Sequence, residues 1–147
     1  MVAGAVLLGG VAAGLVGTAH GATPEDHRQL VTLPEASLVT LRDEMLGNLR
    51  AVHQIVTLVS TGQLEEAGTL AERELGISAM GRNRVLPLEA RPGAHMPAAM
   101  HALGIEGHQA ASHFAREARS GDRARALAAL SGLTTSCVAC HHAYRVR

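Results

Sequence analysis

The chain has 147 residues, of which 47% are hydrophobic, yet Phe114 and Tyr144 are its only aromatic residues. Its 13 basic residues are all Arg, equal its 13 acidic residues in number and are interspersed with them, which excludes a basic tract for nucleic acid or an anionic membrane. A core filled by Ala and Leu is typical of close-packed helices rather than of a β-sheet, and a chain of this length forms one domain.

The first predicted element is a targeting segment. Residues 2–18 are uncharged and rich in Ala, Val, Leu and Gly, and small residues follow at the positions that a signal peptidase reads. We therefore expect a signal peptide over residues 1–21, a periplasmic location and a mature domain over residues 22–147. No Lys or Arg precedes the apolar run, so an uncleaved anchor is the alternative. The run is short and Gly-rich for a membrane-spanning helix, which needs about 20 apolar residues.

Two helices are predicted next. Thr32 and Glu35 have the spacing of a capping box, with Pro34 in the first turn, and predict the start of a long helix that ends at residues 60–62. A second helix is predicted from residue 63 to residue 75, with Gly76 as its stop. Apolar residues at steps of three and four predict the inner face of the first helix: Leu38, Leu41, Met45, Leu49, Val52, Val56 and Val59.

A second pair of helices follows a long connection. Gly and Pro punctuate residues 77–97, which are predicted to be irregular. A third helix is predicted over residues 98–119, and Asp122 is the predicted N-cap of a fourth. The predicted inner face of the fourth helix comprises Leu127, Leu130, Thr134, Cys137, His141 and Tyr144. The predicted fold class is all-α: an antiparallel four-helix bundle with one long crossover between helices 2 and 3.

The fourth helix carries the strongest chemical signal. Cys137, Cys140 and His141 form the pattern C-x-x-C-H, which attaches c-type haem. One helical turn separates the cysteines, so both sulfurs can form thioethers with one edge of a porphyrin while His141 projects its imidazole toward the iron. Two thiolates could instead bind zinc or close a disulfide, but the adjacent His and the lack of further Cys residues disfavour zinc. We expect one covalent haem c.

The extended pattern Cys-x-x-Cys-His-x-x-Tyr-Arg, on the last helix of an Ala-rich chain, resembles the cytochrome c′ family, most specifically over residues 137–145. The resemblance implies an antiparallel four-helix bundle with haem near one end, His141 as the proximal ligand and commonly a homodimer. It also implies that Arg145, one turn after His141, lies beside the haem edge. A solvated Arg favoured by the helix dipole is an equally good interpretation of Arg145.

Members of this family divide between five-coordinate forms with an apolar distal pocket and low-spin forms with a Met ligand from the first helix. Residues 41–48 resemble the low-spin relatives and place Met45 as the second iron ligand, although a Met at helical spacing is usually a core residue. Arg42 could pair with a haem propionate or be solvated. Met100 is the second candidate ligand. Histidines such as His108 are better interpreted as surface or interface residues.

Two functions are compatible with these residues. The first is a periplasmic monohaem c-type cytochrome, a single-electron carrier with His141 and Met45 as iron ligands and with redox proteins as partners. The alternative is a high-spin, cytochrome c′-like protein that binds NO or CO at an open distal position. Enzymatic activity is not expected, because no identifiable acid–base pair surrounds Met45, which lies among Leu and Val.

Overall fold

The computed structural model describes residues 25–147, so the predicted signal peptide lies outside the described residues. Most of the described chain is helical and the all-α class is confirmed. The elements are β1 (Gln29–Val31), α1 (Glu35–Ser60), α2 (Leu64–Leu75), α3 (Ala98–Arg119), α4 (Arg123–Ala143) and β2 (Tyr144–Val146). None of the helices within this range has the length and apolar content needed to cross a membrane.

Local signals set most of the helix ends. The turn after α1 contains Gly62 with φ +83°, a left-handed conformation that glycine adopts without steric cost. Asp122 caps α4 as predicted, because its carboxylate accepts a hydrogen bond from the backbone N–H of Arg125 at 3.0 Å. The capping box predicted for α1 is wrong: Pro34 occupies the N-cap, and no side chain caps the helix.

The segment between α2 and α3, residues 76–97, is called the crossover here. It is irregular, as predicted, and contains four short 3₁₀ helices: Ile77–Ala79, Arg82–Val85, Leu88–Ala90 and Pro92–Ala94. Two hydrogen bonds attach it to α1. The Ser37 hydroxyl donates to the Glu89 carbonyl oxygen at 2.6 Å, and the Asn83 amide donates to the Glu44 carboxylate at 2.6 Å.

The chain before α1 pairs with the chain after α4. Strands β1 and β2 are parallel, with Gln29 opposite Tyr144 and Val31 opposite Val146. The pairing continues as the Leu33 N–H donates to the Arg147 carbonyl oxygen at 3.0 Å. The sequence prediction missed both strands, and it was wrong to extend the fourth helix through Tyr144.

Helix α2 packs against α1 and α3, and α3 packs against α4, whereas the backbones of α1 and α4 scarcely approach each other. One buried cluster, the main core, draws on all four helices. Most of its members are small, which lets helices approach closely. It comprises Ala51, Ile55, Val59, Ala67, Ala71, Leu75, Ala111, Phe114, Ala115, Ala118, Ala126, Ala129, Leu130 and Leu133. Phe114 is its largest fully buried side chain.

A second cluster, the methionine cluster, lies away from the main core, where α1 begins and α4 ends. Its buried members are Val31, Leu33, Leu41 and Met100. Leu38, Met45, Met96, Cys140, Tyr144 and Val146 pack against them and are only partly buried. The clusters therefore divide the molecule into a closed region and a more open one.

The inner faces predicted for α1 and α4 are partly wrong. Leu49 and Val56 of α1 are 67% and 47% exposed, and Ala51 and Ile55 are buried in the main core. On α4, Leu127 is 47% exposed and both Cys137 and His141 are exposed. The reason is that α1 packs against α2 rather than against α4. The side of α1 that carries Ala51 and Ile55 is therefore the buried one.

Candidate functional site

Helix α4 carries the C-x-x-C-H residues in its last two turns. Helical periodicity places Cys137, Cys140 and His141 on one face. Cys137 is exposed and Cys140 is half-buried, and both are free thiols. The Cys137 thiol donates to the carbonyl oxygen of Leu133, one turn earlier, at 3.6 Å. Both sulfurs are thus available on the same face as an exposed imidazole.

The two thiols have different surroundings. Burial raises the pKa of the Cys140 thiol, and the neighbouring Cys137 adds to this effect through charge repulsion. The cause is that an apolar environment disfavours the charged thiolate. Cys140 is therefore a neutral thiol that packs as a small apolar side chain in the methionine cluster.

The methionine cluster brings Met45 into the same apolar environment as Cys140. Met45 is partly buried, and its position on α1 is distant in sequence from the cysteines of α4. Met100, the second candidate ligand, belongs to the same cluster and is 6% exposed, and Met96 of the crossover packs there as well. Three thioethers therefore converge on the end of the molecule that carries C-x-x-C-H.

Helices α1 and α4 both carry exposed apolar side chains near the methionine cluster, and their backbones scarcely approach each other. Leu49 and Val56 follow Met45 along one stripe of α1, and Val138, which is 65% exposed, lies beside His141 on α4. Leu49, Val56 and Val138 are therefore apolar side chains that the packing of the described residues leaves exposed. Two thiols, an imidazole and exposed apolar side chains are the residue types that a covalently bound c-type haem requires.

The two arginines predicted to contact the cofactor differ in their surroundings. Arg42 is exposed and forms no ion pair within residues 25–147. Arg145 lies on β2 rather than on α4, and its Nε is 3.5 Å from a carboxylate oxygen of Asp26. Arg28 also pairs with Asp26, at 2.7 Å, and its hydrogen bond is the main cause of the lowered pKa of Asp26. Arg145 therefore helps to hold the strand pair together.

Sequence reasoning missed Glu44, the residue before Met45. Its side chain accepts the Asn83 hydrogen bond that anchors the crossover. Burial raises the pKa of the Glu44 carboxyl, although Arg82 and Asn83 act in the opposite direction. An acidic residue beside Asp43 on a long helix is typical of a solvated face, so the sequence carried no signal for this contact.

The other titratable residues do not form a second site in the described part of the chain. His108 Nδ1 donates to the Leu75 carbonyl oxygen of α2 at 2.8 Å, and His95 Nε2 donates to the Leu88 carbonyl oxygen at 3.1 Å. Residues 25–147 contain no group of three or more His, Cys, Asp or Glu side chains arranged to hold a metal ion. The four protein ligands typical of structural zinc are therefore missing there.

Comparison of the chain with protein-family models, with curated proteins and with solved structures found no match. The resemblance to the cytochrome c′ family therefore depends on the residues quoted above. The geometry adds an independent observation, because Met45, Met100 and Cys140 share one cluster.

Proposed function

We propose that the protein is a periplasmic monohaem c-type cytochrome that carries single electrons. In this proposal Cys137 and Cys140 bind haem c covalently, and His141 and Met45 are the iron ligands. The four helices would form an antiparallel bundle with the cofactor near one end. The observation that carries the proposal is that Met45 packs in the same apolar cluster as Cys140, beside the C-x-x-C-H face of α4.

Each residue has a defined task in this proposal. A bound haem c would supply a one-electron iron couple, whose potential a thioether ligand raises. Cys137 and Cys140 fix one edge of the cofactor through thioether bonds, and His141 offers an imidazole nitrogen. Met45 offers a sulfur from an apolar helix stripe, where Leu41 is buried beside it in the methionine cluster.

Reversible binding of NO or CO is the second candidate function. Met45 is only partly buried, so its side chain has room to move aside. Its departure would leave a position walled by apolar residues, which suits a small uncharged diatomic gas. The two functions differ in whether the Met45 sulfur or an exchangeable small molecule would be the second ligand of the iron.

The covalent cofactor is tested by haem staining. When the protein is exported with a haem-attachment system, denatured samples should stain for haem because thioether bonds survive unfolding. Replacing both Cys137→Ala and Cys140→Ala should abolish the stain. His142→Ala, which removes an exposed imidazole next to the motif, should retain it. Retained stain in the double cysteine variant would contradict covalent attachment and return zinc or a disulfide to consideration.

The identity of the second ligand is tested by Met45→Ala. We expect the ferric wild-type protein to be low-spin, with the weak far-red absorption of a methionine–iron bond, and the ferrous protein to bind CO slowly. Met45→Ala keeps a good helix former on α1 but removes the sulfur. The variant should be high-spin, bind CO rapidly and have a lower reduction potential.

Met100→Ala is the matched control, because Met100 belongs to the same cluster and is the more buried side chain. It should lower the stability by about 2–4 kcal/mol and leave the spin state unchanged. If Met100 rather than Met45 controls the spectrum, the ligand assignment is wrong. If the wild-type protein is already high-spin, the gas-binding function replaces electron transfer.

A further inference from the structure

The crossover carries exposed apolar side chains on a segment that packs beside the methionine cluster. Val85 is 90% exposed and Leu88 is 61% exposed, and Arg84 and Pro87 are exposed next to them. We call Arg84, Val85, Pro87 and Leu88 the crossover patch. The 3₁₀ helix Arg82–Val85 buries none of its residues. Neighbouring exposed apolar residues contribute little to folding and are typical of a contact surface.

The crossover patch is held in place on both sides. The Asn83 amide donates to Glu44 of α1 at 2.6 Å, and the Arg91 guanidinium donates to the Leu86 carbonyl oxygen at 2.7 Å. The Leu88 carbonyl oxygen lies 3.1 Å from His95 Nε2. A surface that is ordered before binding loses little conformational entropy when a partner docks.

The crossover carries a net positive charge. It contains Arg82, Arg84 and Arg91 but only Glu89 as an acidic residue, whereas the whole chain is balanced. None of the three arginines forms an ion pair within residues 25–147. Arg82 donates to the Glu74 carbonyl oxygen at 2.7 Å and lies near the Glu44 carboxyl. Arg84 thus has the most available charge.

The patch also adjoins the candidate site. Asn83, next to Arg84, is bonded to Glu44, which precedes Met45 in α1. At the other end of the crossover, Met96 packs in the methionine cluster with Met45 and Cys140. A partner docked on the patch would therefore lie close to the proposed cofactor.

We propose that the crossover patch docks an acidic redox partner protein, an inference that depends on the proposed electron-carrier function. An apolar centre with Arg at its rim is typical of protein interfaces, and an acidic partner complements its charge. An anionic membrane is less suitable. Membrane-binding segments use clusters of about 4–8 basic residues, amphipathic helices or aromatic anchors, and the crossover has no aromatic residue and only short 3₁₀ helices.

The test is an NMR titration of the ¹⁵N-labelled holoprotein at low ionic strength. The probe is an acidic flavodoxin, chosen because it carries single electrons. We expect amide shifts concentrated in residues 82–91, and about tenfold weaker binding when Arg84→Gln and Val85→Ser are combined. Neither side chain makes a hydrogen bond in the described structure, so the fold should be retained.

The matched control combines Arg123→Gln and Leu127→Gln near the start of α4, which removes one exposed Arg and one exposed Leu. It should change the affinity by less than about twofold. Equal weakening by the two double variants, or shifts outside the crossover, would overturn the proposal. Vesicles of phosphatidylcholine and phosphatidylglycerol that perturb the patch more strongly than flavodoxin does would also overturn it and assign the surface to a membrane.

This titration reports binding without electron transfer, so its outcome is separate from that of the proposed function. A protein that stains for haem and exchanges electrons with a small neutral reagent, but shows no binding at the patch, keeps its function and loses the docking surface. A protein without haem contradicts the proposed function on the staining test, and its titration still reports whether the patch binds the probe.

Discussion

The main core and the methionine cluster differ in how completely their side chains are buried. The main core joins all four helices through small buried side chains and the fully buried Phe114. The methionine cluster has few fully buried members, and most of its side chains, including Met45 and Cys140, are only partly buried. The first region has the close packing that stabilises a fold. The second has adaptable side chains and uncovered apolar surface, as expected where a further group binds.

The largest effect should follow Phe114→Ala in the main core. The change removes the largest fully buried side chain, and we expect a loss of about 3–5 kcal/mol in the free energy of unfolding, measured by urea denaturation. The absorption spectrum of the bound cofactor should stay the same, because Phe114 belongs only to the main core. If Phe114→Ala fails to fold, Phe114→Leu gives a milder form of the same test. A change of spin state in either variant would contradict the view that the main core stabilises the fold without affecting the proposed cofactor site.

Removal of the proposed cofactor should affect the methionine cluster rather than the main core. Protein made without haem attachment should melt at least about 10 °C lower than the holoprotein, because a group bound only by the native state stabilises it. Circular dichroism measures the melting temperature. Hydrogen exchange should show lost protection in residues 38–45 and 137–146 and retained protection around Phe114. Equal melting temperatures and equal protection would contradict the interpretation of the methionine cluster as a cofactor site.

A smaller effect is expected from Ser112→Ala, where α3 meets the start of the crossover. The Ser112 hydroxyl donates to Glu72 at 2.5 Å and accepts from the Ile77 N–H at 2.9 Å. Its loss leaves a backbone donor without this acceptor, so we expect a cost of about 1–2 kcal/mol. Ser131→Ala removes an exposed hydroxyl on α4 and should change the stability by less than about 0.5 kcal/mol.

The cost of Ser112→Ala should depend on pH. Hydrogen bonds from Ser112 and Ser78 lower the pKa of Glu72. A lowered folded-state pKa stabilises the protein above the unfolded pKa, and this contribution is lost as the pH falls through the folded value. The difference between variant and wild type should therefore be largest above about pH 5 and shrink toward about pH 3. A difference that grows on acidification would contradict this account of Glu72.

The smallest expected effect is a gain in stability, whereas the changes above cause losses. Burial raises the pKa of Glu44, so the wild-type protein loses stability as the pH rises through the folded-state value. Glu44→Gln keeps an acceptor for Asn83 and has no charge to desolvate. We expect a gain of less than about 1 kcal/mol near pH 7 that disappears near pH 4, measured by urea midpoints. Glu106→Gln, at an exposed position of α3, should show no such pH-dependent gain.

Local signals predicted much of the fold. The third helix was predicted and is found at Ala98–Arg119, and the cap at Asp122 is present as predicted. These features depend on neighbouring residues: a capping carboxylate, or a Gly or Pro that ends a helix. The predicted capping box at Thr32 failed because Pro34 already occupies the N-cap of α1.

The candidate site was predicted only in part. The spacing of Cys137, Cys140 and His141 places all three on one face of one helix, which is a local property. Glu44 was missed because its partner Asn83 lies on the crossover, and no periodicity in α1 reveals that contact. Arg145 was expected on a helix, but its segment pairs with β1 as a strand. The Arg145 side chain forms an ion pair with Asp26.

By itself the sequence determined the four helices, the turns between them and the chemistry that C-x-x-C-H can perform, because these depend on residues close together along the chain. The tertiary structure alone decided which helix faces are covered. Since α1 packs on α2 and scarcely approaches α4, Ala51 and Ile55 are buried while Leu49 and Val56 are exposed. It also determined that Met45 and Cys140 pack against the same buried cluster. Such contacts join distant parts of the chain, and the packing of the whole molecule determines them.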